Sequence, residues 1–343
     1  MQSRSYAVAV YKVAVLTFAV AAVAVEAQAQ GTVSSACSSQ LSVSQDACQK
    51  AVDLYNYMAP QLGVSITGGN AVIGNASTLG GLGHFTVGLR ANVVRGQLPQ
   101  TGNVTLSVSG PQSSNFAPRS QVLGLPTADA AIGIFKGLSV GLTNVGGIDA
   151  LVSAFYVPDI DKDPVSVQAT GGRLQLGYGA RLGILQETSF VPGISVSVLQ
   201  RDLPTVDLRA RIGTSDSVRV TGLKAKTTAW RLAGSKSFLL VGLTAGVGQD
   251  RYDSRADASA FIAPRQITQG ITASFNGTVA SPSQKMTRTN VFAGASVRLA
   301  LLRVAAEVGR VSGGSVTTPY NRFGDRAADD PYTYASLGLR VGF

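Results

Sequence analysis

The sequence predicts an all-β chain that closes into an antiparallel transmembrane β-barrel of about ten to fourteen strands, with a short helix ahead of it. Three observations predict this class. Segments recur in which apolar and polar side chains alternate with period two, the pattern of a strand with two unlike faces. After the N-terminal leader no apolar run reaches the roughly 20 residues that a membrane helix needs, although 45% of the residues are hydrophobic and only 14% are charged. Short and long connections alternate along the chain, as they must when hairpins turn on opposite sides of a membrane.

The leader comes first. Arg4 and Lys12 precede an apolar run from Val13 to Val25, and Ala27-Gln28-Ala29 supplies a small-x-small cleavage site. Residues 1–29 therefore have the pattern of a secretory signal peptide. Export to an oxidising compartment makes a disulfide between Cys37 and Cys48, the only two cysteines, the expected state. With no histidine beside them, neither a metal site nor any cofactor is expected.

Residues 30–81 read as a helical and loop segment. From Ser44 to Ala59, Ala47, Ala51, Leu54, Tyr55 and Met58 form one apolar stripe; Ser44 can cap the helix, Asp46 suits its first turn, and Pro60 lies just past its end. Such a helix either packs against the periplasmic rim of the barrel or enters the lumen as a plug. Gln61 to Gly83, rich in Gly, Asn, Ser and Thr, reads as a loop or a weak strand.

The barrel is expected over residues 82–343. Its first clear strand, Leu82 to Gly96, alternates Phe85, Val87, Leu89, Ala91 and Val93 with His84, Thr86, Gly88, Arg90 and Asn92. Asn103 to Ser109 reads as a shorter strand. Gln112 to Gly137 reads as an excursion from the barrel, with a small helical stretch at Ala128 to Phe135. Strands resume at Ile148 to Val157 and Gly172 to Leu182. The next begins at Ile194, and Val206, Leu208, Ala210 and Ile212 then alternate with Thr205, Asp207, Arg209 and Arg211. Proline cannot donate to a ladder, so Gln200 to Pro204 should hold a bulge or kink. Ser217 to Lys236 and Ser237 to Asp253 make a long pair. Ser254 to Thr287 reads as a long loop able to hold its own hairpin near Ile271 to Val279. Thr289 to Leu299, Leu302 to Val311 and the strand ending at Phe343 complete the set. Counting back from Phe343, the long segments Ser254 to Thr287 and Ser312 to Pro331 fall outside the cell, and tight turns at Lys236 and Ala300 face the periplasm.

The formal net charge is +10, which raises nucleic acid as a partner. The basic residues nevertheless recur singly within alternating segments, so no nucleic acid is expected. Arg90, Arg173, Arg181, Arg209, Arg211, Arg298, Arg303 and Arg340 are expected on inward faces, against Asp207, Asp250 and Glu307. Guanidinium groups in a water-filled lumen favour anions; in a filled one they brace the wall with ion pairs. Arg298, Arg303 and Arg340 should form a basic cluster with Glu307 one step above. Acids gather in the outer loops, at Asp159, Asp161 and Asp163, where solvated charge or cation bridging to lipopolysaccharide is expected in place of a calcium loop. His84, the single histidine, has no serine motif or acid pair beside it in the sequence. It reads as a luminal hydrogen-bonding residue, and the protein is not expected to be an enzyme.

The last stretch, Thr333-Tyr-Ala-Ser-Leu-Gly-Leu-Arg-Val-Gly-Phe343, places Leu337, Leu339, Val341 and Phe343 on one face. It resembles the C-terminal signature read by Gram-negative barrel-assembly machinery. That resemblance implies an outer-membrane location, with lipid, lipopolysaccharide and the assembly machinery as partners. With its exported N-terminal segment, the proline-containing break at Gln200 to Pro204 and terminal Phe343, the layout also loosely resembles the long-chain fatty-acid transporter type. Members of that family have an N-terminal hatch filling the lumen and a strand kink opening a lateral exit for hydrophobic ligands. The expected function is a passive channel or transporter for small anionic or hydrophobic solutes. The alternative is a closed structural barrel that works through its outer loops.

Overall fold

The computed structural model describes residues 32–162 and 164–343; the expected signal peptide and Asp163 lie outside the described residues. Two helices come first, α1 (Ser35–Ser38) and α2 (Ser42–Thr67). The first strands are β1 (Phe85–Pro99), β2 (Pro118–Phe135), β3 (Leu138–Val140), β4 (Thr143–Val145), β5 (Gly147–Tyr156), β6 (Ile160–Lys162), β7 (Val165–Ala169) and β8 (Leu174–Leu185). They are followed by β9 (Gly193–Asp202), β10 (Val206–Ile212), β11 (Asp216–Phe238), β12 (Val241–Thr268), β13 (Ile271–Ala280), β14 (Ser283–Leu299), β15 (Leu302–Ser312) and β16 (Tyr332–Gly342).

Ten of these strands close a barrel. In the order β1, β2, β5, β8, β9, β11, β12, β14, β15 and β16, each pairs antiparallel with the next, and β16 returns to β1. At the seam the Phe85 amide donates to the Phe343 carbonyl at 3.1 Å and the Phe343 amide to the Phe85 carbonyl at 2.9 Å. Their rings stack with centroids 5.1 Å apart. Residues on the outer face are apolar and exposed all around the wall, among them Leu89, Leu176, Val247, Val291, Leu337 and Leu339. A soluble surface does not carry a contiguous band of this kind, whereas a bilayer requires one. The turns at one end are short: Leu239-Leu240 and Ala300-Leu301, with Leu239 and Ala300 both at φ 54°. The long connections lie at the other end, on the side expected for the cell exterior.

Beyond the membrane the wall continues as a sheet in the order β13, β12, β11, β10, β7, β6. This extension meets one expectation and corrects others. Gln200 to Pro204 holds the expected break in a wall strand: β9 pairs with β11 as far as Asp202, the Leu203 amide donates to the Ala225 carbonyl at 2.7 Å, and β10 resumes the pairing along the same β11 in the same direction. In β10 the faces are reversed from those expected. Val206, Leu208, Ala210 and Ile212 are buried, packing with Val167, Val220 and the helix, while Arg209 and Arg211 face outward. Water replaces lipid outside this part of the sheet, so the apolar face turns in. Ser254 to Thr287 is largely strand, with β13 at the place reserved for a hairpin.

Gln112 to Gly137 also differs, because β2 is a wall strand and not an excursion. Pro126 sits one residue beyond Thr127, where pairing with β5 ends, a half-edge position that tolerates proline. Ala128 to Phe135 is strand because ladders on both sides override its helical preference. Asn103 to Ser109 is loop, its Ser107 amide donating to Asp46 Oδ2 at 2.7 Å.

Helix α2 is longer than expected. It starts after Leu41, not after a Ser44 cap, and Ser44 Oγ donates back to the Leu41 carbonyl. It also runs through Pro60. A proline in mid-helix frees the carbonyl four residues earlier, here that of Asn56, which accepts from Gln284 Nε2 at 3.4 Å. The disulfide Cys37–Cys48 joins the two helices.

Candidate functional site

Helix α2 is the plug. Strands from opposite sides of the wall, β1, β2, β9, β11, β12 and β16, all touch it, and it is buried on every face from Ala47 to Thr67 save at Asn56 and Leu62. A helix buried all round needs a solid partner on every side, and the barrel supplies one. Its outer end lies under two external loops. Asp46 accepts from the amides of Ser107 and Gln112 and pairs with Lys50, whose ammonium donates to the Gln112 carbonyl at 2.8 Å. Asp53 accepts from the Asn321 amide at 2.8 Å and from its side chain at 2.9 Å, and burial pushes this carboxyl up to about 6. The Tyr57 ring stacks on Phe323 at 4.1 Å, and Phe323 in turn on Phe116.

The inner end is held by the wall. A helix leaves its last four carbonyls without intrahelical partners and carries partial negative charge there. Here Val64 O takes the Gly68 amide at 2.9 Å and Ser65 O takes Asn92 Nδ2 at 2.7 Å. Ile66 O takes Arg201 Nη1 at 3.2 Å, Thr67 O takes Arg231 Nη2 at 3.2 Å, and Gly68 O takes Arg90 Nη1 at 2.9 Å. Two further arginines hold the chain that follows: Arg303 Nη1 donates to Gly74 O at 2.9 Å and Arg181 Nη1 to Asn75 O at 3.1 Å.

Buried acids compensate these cations. Asp129 lies between Arg90 at 2.8 Å and Arg201 at 3.6 Å. Asp149 pairs with Arg181 at 2.7 Å and accepts the Leu79 amide. Asp250 meets Arg231 at 2.5 Å and accepts from Thr67, Tyr252 and Asn290. Glu307 accepts from Asn70 at 2.6 Å and Tyr334 at 3.1 Å. The space left beside them is a cavity of about 40 Å³ between Arg181, Arg201, Arg231 and the plug. That volume holds a few waters and no solute.

Of the arginines expected inside, Arg90, Arg181 and Arg303 line the lumen with Glu307, while Arg298 and Arg340 stand at its periplasmic mouth. Three lie elsewhere. Arg173 precedes β8 above the membrane and pairs with Asp159, half exposed. Arg209 and Arg211 are in β10, in the part of the wall beyond the closed barrel, and face outward. Glu307 is separated from the mouth cluster because its partners are Asn70 and Tyr334. His84 is exposed at the mouth. Sequence reasoning missed Arg201, Arg231, Asp129 and Asp149. Arg231 lies between the outward Trp230 and Leu232, so its parity marked it; Arg201 and Asp129 fell in stretches taken for a break and a helix.

A closed antiparallel wall with an apolar outer belt and a charged interior admits one setting. The chain is a bacterial outer-membrane β-barrel. No family model matches the sequence, and no curated protein matches it. Solved structures do match. The translocator domain of autotransporter NalP from Neisseria meningitidis is 10% identical, with 88% of this chain and 99% of that chain covered and a TM-score of 0.37. An outer membrane channel, COG4313, from Pseudomonas putida F1 is 9% identical over 79% of this chain and 98% of that chain, with a TM-score of 0.33. A FadL homologue from Pseudomonas aeruginosa is 8% identical over 81% and 97%, with a TM-score of 0.26. These are likenesses of barrel architecture.

Proposed function

We propose that this barrel is a channel gated by its own N-terminal helix, closed as described above, and passing small anionic solutes when α2 is displaced. The observation that carries the proposal is the use made of the luminal arginines. Three of them donate to carbonyls at the end of the plug and two to the chain that follows it, and the bonds to the helix end are lost when the plug moves. The wall so exposed carries Arg90, Arg181, Arg201, Arg231 and Arg303 against Asp129, Asp149, Asp250 and Glu307, with Arg298 and Arg340 at the mouth. Such a wall favours anions. Hydrophobic solutes are the second substrate class, by resemblance to the fatty-acid transporter type. In this reading the protein is not an enzyme; its partners are outer-membrane lipid and lipopolysaccharide along the belt and the assembly machinery at Leu337, Leu339, Val341 and Phe343.

The test tethers the plug. A Cβ at Gly68 would fall 2.5 Å from the Asn92 side chain, so Gly68→Cys with Asn92→Cys forms a bond between helix end and wall. In planar bilayers the reduced variant should show anion-selective openings that disappear on oxidation, with the native chain under the same reductant as control. Equal current in both states would overturn the gate. A second reading, a closed barrel acting through the outer sheet, is favoured by the full satisfaction of the helix end. Electrical silence of the native chain, together with liposomes impermeable to small solutes, would decide for it.

A further inference from the structure

The periplasmic mouth contains an arrangement that the plug does not explain. Arg298 on β14 is directly opposite Arg303 on β15, and Arg303 is directly opposite Arg340 on β16. Three guanidinium side chains thus stand in one row across three adjacent strands, on the inward face. Like charges directly opposite on a sheet are destabilising. Among the described residues none of the three is in an ion pair. The neighbouring acid, Glu187, is engaged by Ser235 Oγ at 3.0 Å and the Ser237 amide. Arg303 spends one nitrogen on Gly74 O, whereas Arg340 Nη1 is buried with no partner.

The row borders a cavity of about 290 Å³ that also reaches His84, Thr86 and Asn75. From these observations we infer that the mouth is a binding site for a multivalent oxyanion, a polycarboxylate or an oligophosphate. Adjacent strands are about 4.8 Å apart, so the three stems stand at successive spacings of about 5 Å. A single phosphate spans one such gap. A tricarboxylate, or a pyrophosphate through terminal oxygens on both of its phosphate groups, engages two or three guanidinium groups at once, each through paired N–H donors. The anion removes the mutual repulsion of the row and gives Arg340 Nη1 its missing acceptor. The site does not require the pore to open, so it stands or falls apart from the gate.

Two sources carry this chemistry, a soluble anion from the periplasm and an anionic phospholipid headgroup of the inner leaflet, since Phe85 and Phe343 border the same cavity. The full chain is titrated calorimetrically with pyrophosphate, tricarballylate and monophosphate in zwitterionic micelles, and with cardiolipin in nanodiscs. Arg340→Gln, the triple variant with Arg298→Gln and Arg303→Gln, and Arg173→Gln as an exposed control are measured alongside, all checked for folding by heat-modifiable migration. The expected result is binding of at least one multivalent anion about tenfold tighter than monophosphate, weakened about tenfold by Arg340→Gln. Binding should be abolished in the triple variant and unchanged in the control. Binding of pyrophosphate or tricarballylate identifies a soluble ligand, and arginine-dependent binding of cardiolipin alone identifies a lipid headgroup. Folded native protein that binds none of them at millimolar concentration, or binds equally well in the triple variant, overturns the site.

Discussion

Replacing Arg231 with methionine tests whether the plug and the wall form one electrostatic unit. Arg231 is buried, it meets Asp250 at 2.5 Å, and it reaches the Thr67 carbonyl at the helix end. Asp250 has no exposed surface. Arg231→Met keeps most of the stem's volume but leaves that carboxylate with only neutral donors, from Thr67, Tyr252 and Asn290. Removing one partner of a buried pair costs about 3–5 kcal/mol, and three remaining donors place this case near 3 kcal/mol. Asp250→Asn alone strands the guanidinium and should cost about as much. The double variant strands neither and should cost about 1–2 kcal/mol, so the coupling is at least 2 kcal/mol. The readout is internal, because Trp230 is the sole tryptophan and adjoins Arg231 on the lipid face. Urea unfolding in liposomes followed by its fluorescence yields each free energy. A cost below 1 kcal/mol for Arg231→Met, or additive single changes, would refute the reasoning.

Three further predictions follow from the same geometry. A Cβ at Gly63 would lie 2.8 Å from the Tyr252 ring, so Gly63→Ala should destabilise the plugged state by about 1–3 kcal/mol despite better helix propensity, read as faster hydrogen exchange in 42–67 with exchange of the wall unchanged. Asp53, raised from 3.8 to about 6, prefers its protonated form when folded. Its penalty, up to about 3 kcal/mol, is therefore present above pH 6 and relieved as pH falls toward 4. The 313–331 loop should be cleaved by proteases more slowly at pH 5 than at pH 7.5, and Asp53→Asn should abolish the difference. Phe343→Ala removes the ring stacked on Phe85 at the seam; it should lower the yield of heat-modifiable barrel in the outer membrane several-fold, while Arg340→Gln should not.

Much of the wall was legible because a lipid-facing strand must show its parity. The alternation at Phe85 to Val93 and at Ala335 to Phe343 needed no tertiary knowledge. The plug was legible only in part. The stripe from Ala47 to Met58 marked a helix, but a stripe specifies one packed face, and α2 is packed on all of them. In its last turn only Val64 O has a local partner, the Gly68 amide, and the arginines that complete the helix end come from strands 22 to 164 positions away. No local pattern carries a pairing of that separation. Pro60 misled for the same reason, since the donor that makes it tolerable, Gln284, lies 228 positions beyond Asn56, whose carbonyl it bonds.

The reversal of faces in β10 has a cause that bears on the function. Alternation states that a strand has two unlike faces, and the medium decides which of them points inward. In the bilayer the apolar side of β11 and β12 faces out, as at Trp230, Leu232, Leu243 and Val247. Farther along the same two strands the inward face becomes apolar. β12 keeps one parity throughout, with Asp250 inward in the barrel and Ala258 and Ala260 inward above it, and β11 turns Ala225, Leu223, Val220 and Val218 in. The bulge between Thr221 and Lys224 shifts only which parity of β11 points inward; the exchange of apolar for charged residues on the outer face precedes it on the way out of the bilayer. The outward residues change from apolar to charged at Lys226 on β11 and Arg251 on β12, and that level marks the end of the lipid-facing belt. Above it the inward apolar face covers the outer half of α2, and below it the inward arginines bind the helix's inner end. A plug held by apolar packing outside and by ionic contacts inside is weakened separately at its two ends: by loss of the disulfide and loop contacts above, and by anions that compete for the arginines below.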